Sequence, residues 1–201
     1  MQRRVWESIA QSWNRHRQVP EKPVIDFMKD RKVLLDLGCG SGRHFVSGKK
    51  YIGIDFSKEM LILAKQNAKK KKAKVHLIRS DLSALPLKAA YFNDVTLSAV
   101  LHIIESRNRR KCLREIKRVM KKSGRALVTV WNKEQPRFSG KRKVTYVPWK
   151  TGKKKYLRYY YLFTKSELKS LLAEYFEMEY IETVSRSRPF GENIVAVVKK
   201  V

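Results

Sequence analysis

Apolar residues fall at Trp6, Ile9, Ala10 and Trp13, the i, i+3, i+4, i+7 spacing of one helix face. Pro20 and Pro23 bracket a turn, and Val24, Ile25, Phe27 and Met28 predict a second short helix. The period then changes. Residues 33–36 read VLLD, an unbroken apolar run ending in an acid, the pattern of a parallel strand buried on both faces. A glycine loop follows at 38–42. Residues 51–55 predict a second strand, and Ser57 is a suitable N-cap for a helix over 58–68, which the run KKKKAK at 69–74 ends. Val75, Leu77 and Ile78 make a third strand that stops at Asp81, and residues 94–100 make a fourth. Ser106 is expected to cap a helix running to about residue 122, with Leu113, Ile116 and Met120 inward and Gly124 just past its end. Residues 125–131 complete the fifth strand.

Residues 132–158 break the pattern: they are polar, basic and aromatic, with no period. They read as an excursion (132–163 in all) and not as a second domain. Thr164-x-x-Glu167 is a capping box opening a helix over 165–175, and strands at 176–186 and 193–201 close the chain around a turn at 189–191. Strands alternating with helices predict an α/β fold with a mostly parallel, seven-stranded sheet and a C-terminal antiparallel hairpin. Residues 1–201 read as one domain with no internal repeat, residues 1–30 forming a helical cap.

Composition changes the picture mainly through charge. The chain has 46 Lys+Arg against 18 Asp+Glu, a net charge of +28 over 201 residues. Such an imbalance calls for a polyanion or an acidic protein as partner, and nucleic acid is the expected one. Heat adaptation adds glutamate along with lysine and does not account for it. Apolar residues make up 43%, which excludes a disordered chain. No apolar run approaches the roughly 18 residues of a membrane span. The first residues carry scattered charges and no apolar core, unlike a signal peptide. Two cysteines, Cys39 and Cys112, are too few for a disulfide framework or a cysteine-rich zinc site, so no metal and a reducing cytoplasm are expected.

The glycine loop Gly38-Cys39-Gly40-Ser41-Gly42 is GxGxG, not the GxGxxG of dinucleotide binders. Alone it promises only a nucleotide-like ligand. Three acids at three successive strand ends say more. Asp36 is placed to take an amino group, Asp55 to pair with ribose hydroxyls, and Asp81 to accept an adenine amino group. No Gly-Lys-Ser/Thr phosphate signature is present. A ligand with an ammonium, a ribose and an adenine, and no required phosphate, is S-adenosylmethionine. Phe56 is expected against the adenine or ribose, and Cys39 to contribute backbone only; Leu82 and Ser98 join the cofactor residues.

DLGCGSG, GIDFS and SDL together resemble the class I methyltransferases, and hence imply their Rossmann-like fold. Nearly the whole chain is similar to a narrower family, the tRNA wobble-uridine carboxymethyl methyltransferases, including the domain fused to an AlkB-like hydroxylase in animals. VWESIAQSWNRHRQVP resembles that family's N-terminal segment, and DLSALPL, LSAVLHI and VWNKEQ its strand ends. YVPW followed by LRYYYLFTKSEL resembles a block that generic small-molecule methyltransferases lack. One departure stands out: the family often carries two adjacent histidines after strand four, and here His102 is followed by Ile103.

The resemblance implies methyl transfer to the carboxylate of a 5-carboxymethyl-type uridine at the tRNA wobble position. An acceptor already ionised near pH 7 needs positioning and a dry site more than a base. Arg17 matches the family's N-terminal arginine and is the first candidate to hold the carboxylate or a phosphate, with Arg15 second. His102 is a candidate to orient or stack on the uridine, and Arg158, Tyr159 and Tyr160 to stack and bond a flipped-out base. Lys143, Lys150, Lys153, Lys154, Lys155 and Arg158 share one acid-free stretch with Tyr146 and Trp149, which suits an anticodon arm. The family also implies a small zinc-binding activator subunit, with the strand-three edge at 75–79 as its expected place. A methyltransferase of a small molecule or protein, and a non-catalytic binding subunit, are the alternatives.

Overall fold

The computed structural model describes residues 2–185 and 191–201. Two helices come first, α1 (Gln2–His16) and α2 (Lys22–Met28). The alternating region follows as β1 (Val33–Leu37), β2 (Lys50–Asp55), α3 (Lys58–Lys70), β3 (Lys74–Arg79), β4 (Phe92–Ser98), α4 (Ser106–Val119) and β5 (Met120–Trp131). Then come β6 (Val144–Thr151), β7 (Lys154–Tyr161), α5 (Lys165–Ala173), β8 (Glu177–Ser185) and β9 (Glu192–Lys199).

The main sheet has seven strands in the order β3-β2-β1-β4-β5-β9-β8. Strands β1 to β5 pair in parallel, and β9 and β8 close the sheet antiparallel. The order reverses between β1 and β4, which opens a crevice at the carboxyl ends of those strands. Strand β3 is an edge.

Alternate residues of β1 explain its unbroken apolar run. Leu35 and Leu37 enter the core shared with α4 and α5, while Leu34 enters the core shared with α2 and α3. The sheet is therefore covered on both faces, and a polar residue within β1 needs a partner. Asp36 is such a residue.

Two helix starts follow the expected chemistry. The Ser57 hydroxyl accepts the Met60 N–H at 3.1 Å, and Thr164 and Glu167 form a reciprocal capping box. A third does not. Ser106 is the first residue of α4, the N-cap is Glu105, and no side chain caps it. The helix ends at Val119, earlier than expected, and Gly124 lies inside β5. A Cβ there would sit 3.1 Å from the carbonyl oxygens of Phe92 and Asn93, so Gly124 lets β5 approach β4 at its register shift.

The expected excursion is regular. Strands β6 and β7 form a separate antiparallel hairpin, pairing Val144 with Tyr161 through to Thr151 with Lys154, and Gly152 turns it at φ +55°. One face carries Trp149, Tyr156 and Arg158 and packs on α1. Those polar and basic side chains conceal the two-residue period. Part of the turn expected at 189–191, Pro189 and Phe190, and the end of the strand at Arg186 lie outside the described residues. Among the described residues no helix is long and apolar enough to cross a membrane.

Candidate functional site

A cavity of about 570 Å³ opens at the crevice, within the range of small-molecule sites. Its floor is the loop after β1. Gly38, Gly40 and Gly42 all have positive φ, +69°, +53° and +74°. A Cβ on Gly38 would lie 2.4 Å from Val100, whereas one on Gly40 would meet nothing within 4 Å. Gly38 is thus required by packing, while Gly40 keeps the loop backbone open to the cavity. Cys39 lies in the wall, and its N–H donates to the Ile54 carbonyl at 3.0 Å. Burial, with Asp55 and Asp36 adding to it, pushes its thiol well above the ordinary value, so it is no nucleophile.

The three acids differ. Asp55 lines the cavity at the end of β2 and accepts the N–H groups of Gly40 and Ser57, each at 2.9 Å. Burial pushes its pKa up to about 6 against those two bonds. Asp81 lies two residues past β3, exposed, and accepts the Ser83 N–H at 2.9 Å and the Ser83 hydroxyl at 2.7 Å. Asp36 does not reach the cavity wall. It is 2% exposed, accepts the Thr96 hydroxyl at 2.8 Å through Oδ1, and leaves Oδ2 buried without a partner. Burial lifts it to about 7. Its influence on a ligand is therefore its charge, in place of the direct contact expected from the sequence.

Ser98, at the end of β4, also lines the cavity and donates to Glu21 Oε2 at 3.1 Å. Glu21 is buried and pairs with Arg43, another cavity residue, at 2.6 Å. Sequence reasoning missed Glu21 and Arg43. Arg43 directly follows the glycine loop, which was its one local signal; Glu21 sits between two prolines and had none.

Helix α1 and the segment after it form the opposite wall. Trp6, Trp13, Arg3, Arg4 and Arg17 all face the cavity, joined by Phe56, Leu82, Ile103 and Arg107. Arg17 lies over the Trp13 ring at 5.0 Å, and Arg3 over Phe56 at 5.9 Å. Arg3 and Arg4 were not singled out from the sequence, because charges at a helix start read there as solvated surface.

Other expected site residues are elsewhere. His102 is 1% exposed, its Nδ1 accepts the Trp131 N–H at 2.9 Å, and it packs against both Trp131 and Tyr160. Burial lowers its pKa to about 3. Ile103, next along the same 3-10 turn, is the one that faces the cavity. Tyr160 is fully buried and stacks on Trp131 at 4.1 Å. Arg158 donates to the Tyr160 hydroxyl at 2.9 Å and lies among the rings of Trp6, Trp13 and Trp149. Tyr159 is buried and accepts from Arg109 at 3.0 Å. These three tie the hairpin to the body and are not presented to a base. Trp149 bonds Ser12 at 2.7 Å on the inner hairpin face, Lys143 pairs with Glu167, and Arg15 is exposed and outside the cavity wall.

The residues present fit S-adenosylmethionine. Asp55 suits a ribose diol, Asp81 an adenine amine, and the open backbone at Gly40 a close-lying tail. The unpartnered Asp36 oxygen lies behind the glycine loop, where an ammonium would favour its ionised form.

Residues 35–128 match the methyltransferase domain family. Among curated proteins the chain is similar to the tRNA (carboxymethyluridine(34)-5-O)-methyltransferase of Arabidopsis thaliana, 31% identical over 139 residues, 66% of this chain and 33% of that protein. The protein of that name from Xenopus tropicalis is 28% identical over 138 residues, 66% of this chain and 21% of its own. The chain thus spans a third or less of the length of these relatives. Among solved structures, an S-adenosylmethionine-dependent methyltransferase from Methanosarcina mazei superposes with a TM-score of 0.71 at 18% identity, covering 91% of this chain and 99% of that one. Residues 35–128 thus match a methyltransferase domain, the chain has the fold of the class I S-adenosylmethionine-dependent methyltransferases, and the donor set at its crevice fits that cofactor.

Proposed function

We propose that the protein methylates the carboxylate of a 5-carboxymethyl-type uridine at the wobble position of tRNA. The observation that carries this reading is a change of charge across one cavity. Asp55 and Asp81 stand on the sheet side, where Arg43 is paired with Glu21, and Arg3, Arg4 and Arg17 stand on the side of α1; Arg107 is paired with Glu105. Acids suit a cationic cofactor; arginines suit an anionic acceptor. The names of the relatives, and the net charge of +28, agree with an RNA carrying that acceptor.

When bound, S-adenosylmethionine supplies a methyl group on a positively charged sulfonium. The chain's own residues have three tasks. Asp55, Asp81 and the loop at 38–42 fix the donor. Arg17, held over Trp13, takes the acceptor carboxylate and orients it. Trp6, Trp13 and Ile103 give the cavity an apolar wall that excludes water, which strengthens the attraction between opposite charges. The acceptor is ionised near neutral pH, so no side chain has to remove a proton. An isoleucine at the cavity-facing position is compatible with that chemistry.

The partner proposed beside tRNA is a small zinc-binding activator subunit. The β3 edge, Lys74–Arg79, is its proposed seat, because an edge strand offers unpaired backbone groups.

The test is the chemical nature of the transferred methyl. Label moved from S-adenosylmethionine to tRNA should be released as methanol by mild alkali, as an ester is. Alkali-stable label would exclude a carboxylate acceptor.

A further inference from the structure

The hairpin of β6 and β7 has two unlike faces. Its inner face is spent on α1, through Trp149, Tyr156 and Arg158. Cross-strand pairing puts Tyr146 opposite Tyr159, Pro148 opposite Leu157 and Lys150 opposite Lys155 on the outer face. There Tyr146 is 57% and Leu157 49% exposed, and Pro148 is exposed between them. We propose that this outer face is a stacking platform for unpaired bases of an RNA loop, lying beside the cavity that receives the target nucleotide.

Three observations favour RNA as the occupant. First, the apolar strip is bordered by cations. Lys150, Lys153, Lys154 and Lys155 are exposed at the hairpin tip, and residues 141–163 contain no acid. Rings for bases beside lysines for phosphates is the composition of single-strand binding surfaces. Second, the platform adjoins the cavity. Gln2 lines the cavity, donates to the Leu157 carbonyl at 3.5 Å and accepts the Tyr159 N–H at 3.0 Å. A nucleotide in the cavity would therefore have its loop neighbours against β7. Third, the Tyr146 ring is backed on one edge: Tyr159 meets it edge-on at 6.0 Å, and Arg109 anchors the Tyr159 hydroxyl. A ring backed by a fixed neighbour gives up less freedom when a base stacks on it.

The inference rests on the RNA-substrate reading above but not on the identity of the modified group. Of the rings expected from the sequence to meet RNA, it keeps Tyr146, while Tyr159, Tyr160 and Trp149 are engaged within the protein.

The test compares binding of an anticodon stem-loop RNA and a blunt RNA duplex of equal length, over a salt series. Tyr146→Ala should weaken stem-loop binding about tenfold or more and leave duplex binding, salt slope and cofactor affinity unchanged. Tyr146→Trp should keep stem-loop affinity. Replacing Lys153, Lys154 and Lys155 with glutamine should weaken both ligands and flatten the salt slope. Unchanged stem-loop affinity in Tyr146→Ala, or equal losses on both RNAs, overturns the platform. So does a wild-type chain with no affinity for the stem-loop, or self-association without RNA that depends on Tyr146, which would assign the face to a protein contact. Tyr146-dependent loop binding with no methyl at the wobble uridine would leave the platform standing and remove the reaction.

Discussion

The Ser57 hydroxyl donates to Glu7 Oε2 at 2.8 Å, so a side chain of α1 closes the first turn of α3. Glu7 also accepts the N–H groups of Lys58 and Glu59, each at 2.9 Å. These are backbone donors that α3 cannot satisfy within itself. The capped turn begins two residues after Asp55, and α1 forms one wall of the cavity. The wall is thus latched to the cofactor loop by one carboxylate.

Glu7→Gln should lower stability by about 1–2 kcal/mol, the scale of a lost helix cap. Burial pushes the Glu7 pKa up, but the N–H groups of Glu59 and Lys58, the Ser57 hydroxyl and the Arg79 charge outweigh it, and the result lies below the ordinary 4.5. A carboxylate lowered on folding stabilises the protein above its unfolded value, and that contribution fades as pH falls through the folded value. Urea unfolding of both proteins should show the full difference at neutral pH and a closing gap in acid. A gap that widens in acid would contradict the latch.

Cofactor affinity should rise with pH through the window set by Asp36 and Asp55. Their carboxyls are lifted from 3.8 to about 7 and about 6 by burial. A raised carboxyl costs the apoprotein stability as pH rises from its unfolded value through its folded one. A cationic ligand favours the anion, so binding releases protons. Calorimetry in buffers of different ionisation enthalpy should detect that release near pH 6, and Asp55→Asn should reduce it. Asp55→Ala and Asp81→Ala should each weaken binding about tenfold or more. Unchanged affinity in both would contradict the proposed cofactor contacts.

Two glycines of one loop should fail differently. Gly38→Ala drives a Cβ to 2.4 Å from Val100 at φ +69°, and the expected outcome is a marked fall in melting temperature. Gly40→Ala meets nothing within 4 Å, so beyond the strain of φ +53° the fold should tolerate it while cofactor affinity drops. Equal effects of the two on melting temperature would mean that Gly40 serves packing as well.

Much of the sheet was legible because the signals are local. An apolar run into Asp36, a serine before α3 and a capping box before α5 each act within a few residues. The hairpin was not legible as strands. Its inner face is filled by Arg158 and Trp149, whose place depends on α1 more than a hundred residues earlier, so the alternation lacks the apolar-polar contrast that marks a strand. His102 and Ile103 could not be told apart for the same reason. Which side chain of a short turn faces a cavity depends on the turn's rotation, and here the histidine faces Trp131. The arginines of α1 became part of the site only once α1 was packed over α3 and β7.

The most direct measurement is nucleoside mass spectrometry of tRNA bearing 5-carboxymethyluridine, incubated with the protein, labelled S-adenosylmethionine and any co-purifying subunit. The account predicts label in the methyl ester of the wobble uridine, greatly reduced in Arg17→Ala with cofactor affinity intact. Label in another nucleoside, with none at the wobble position, would contradict it.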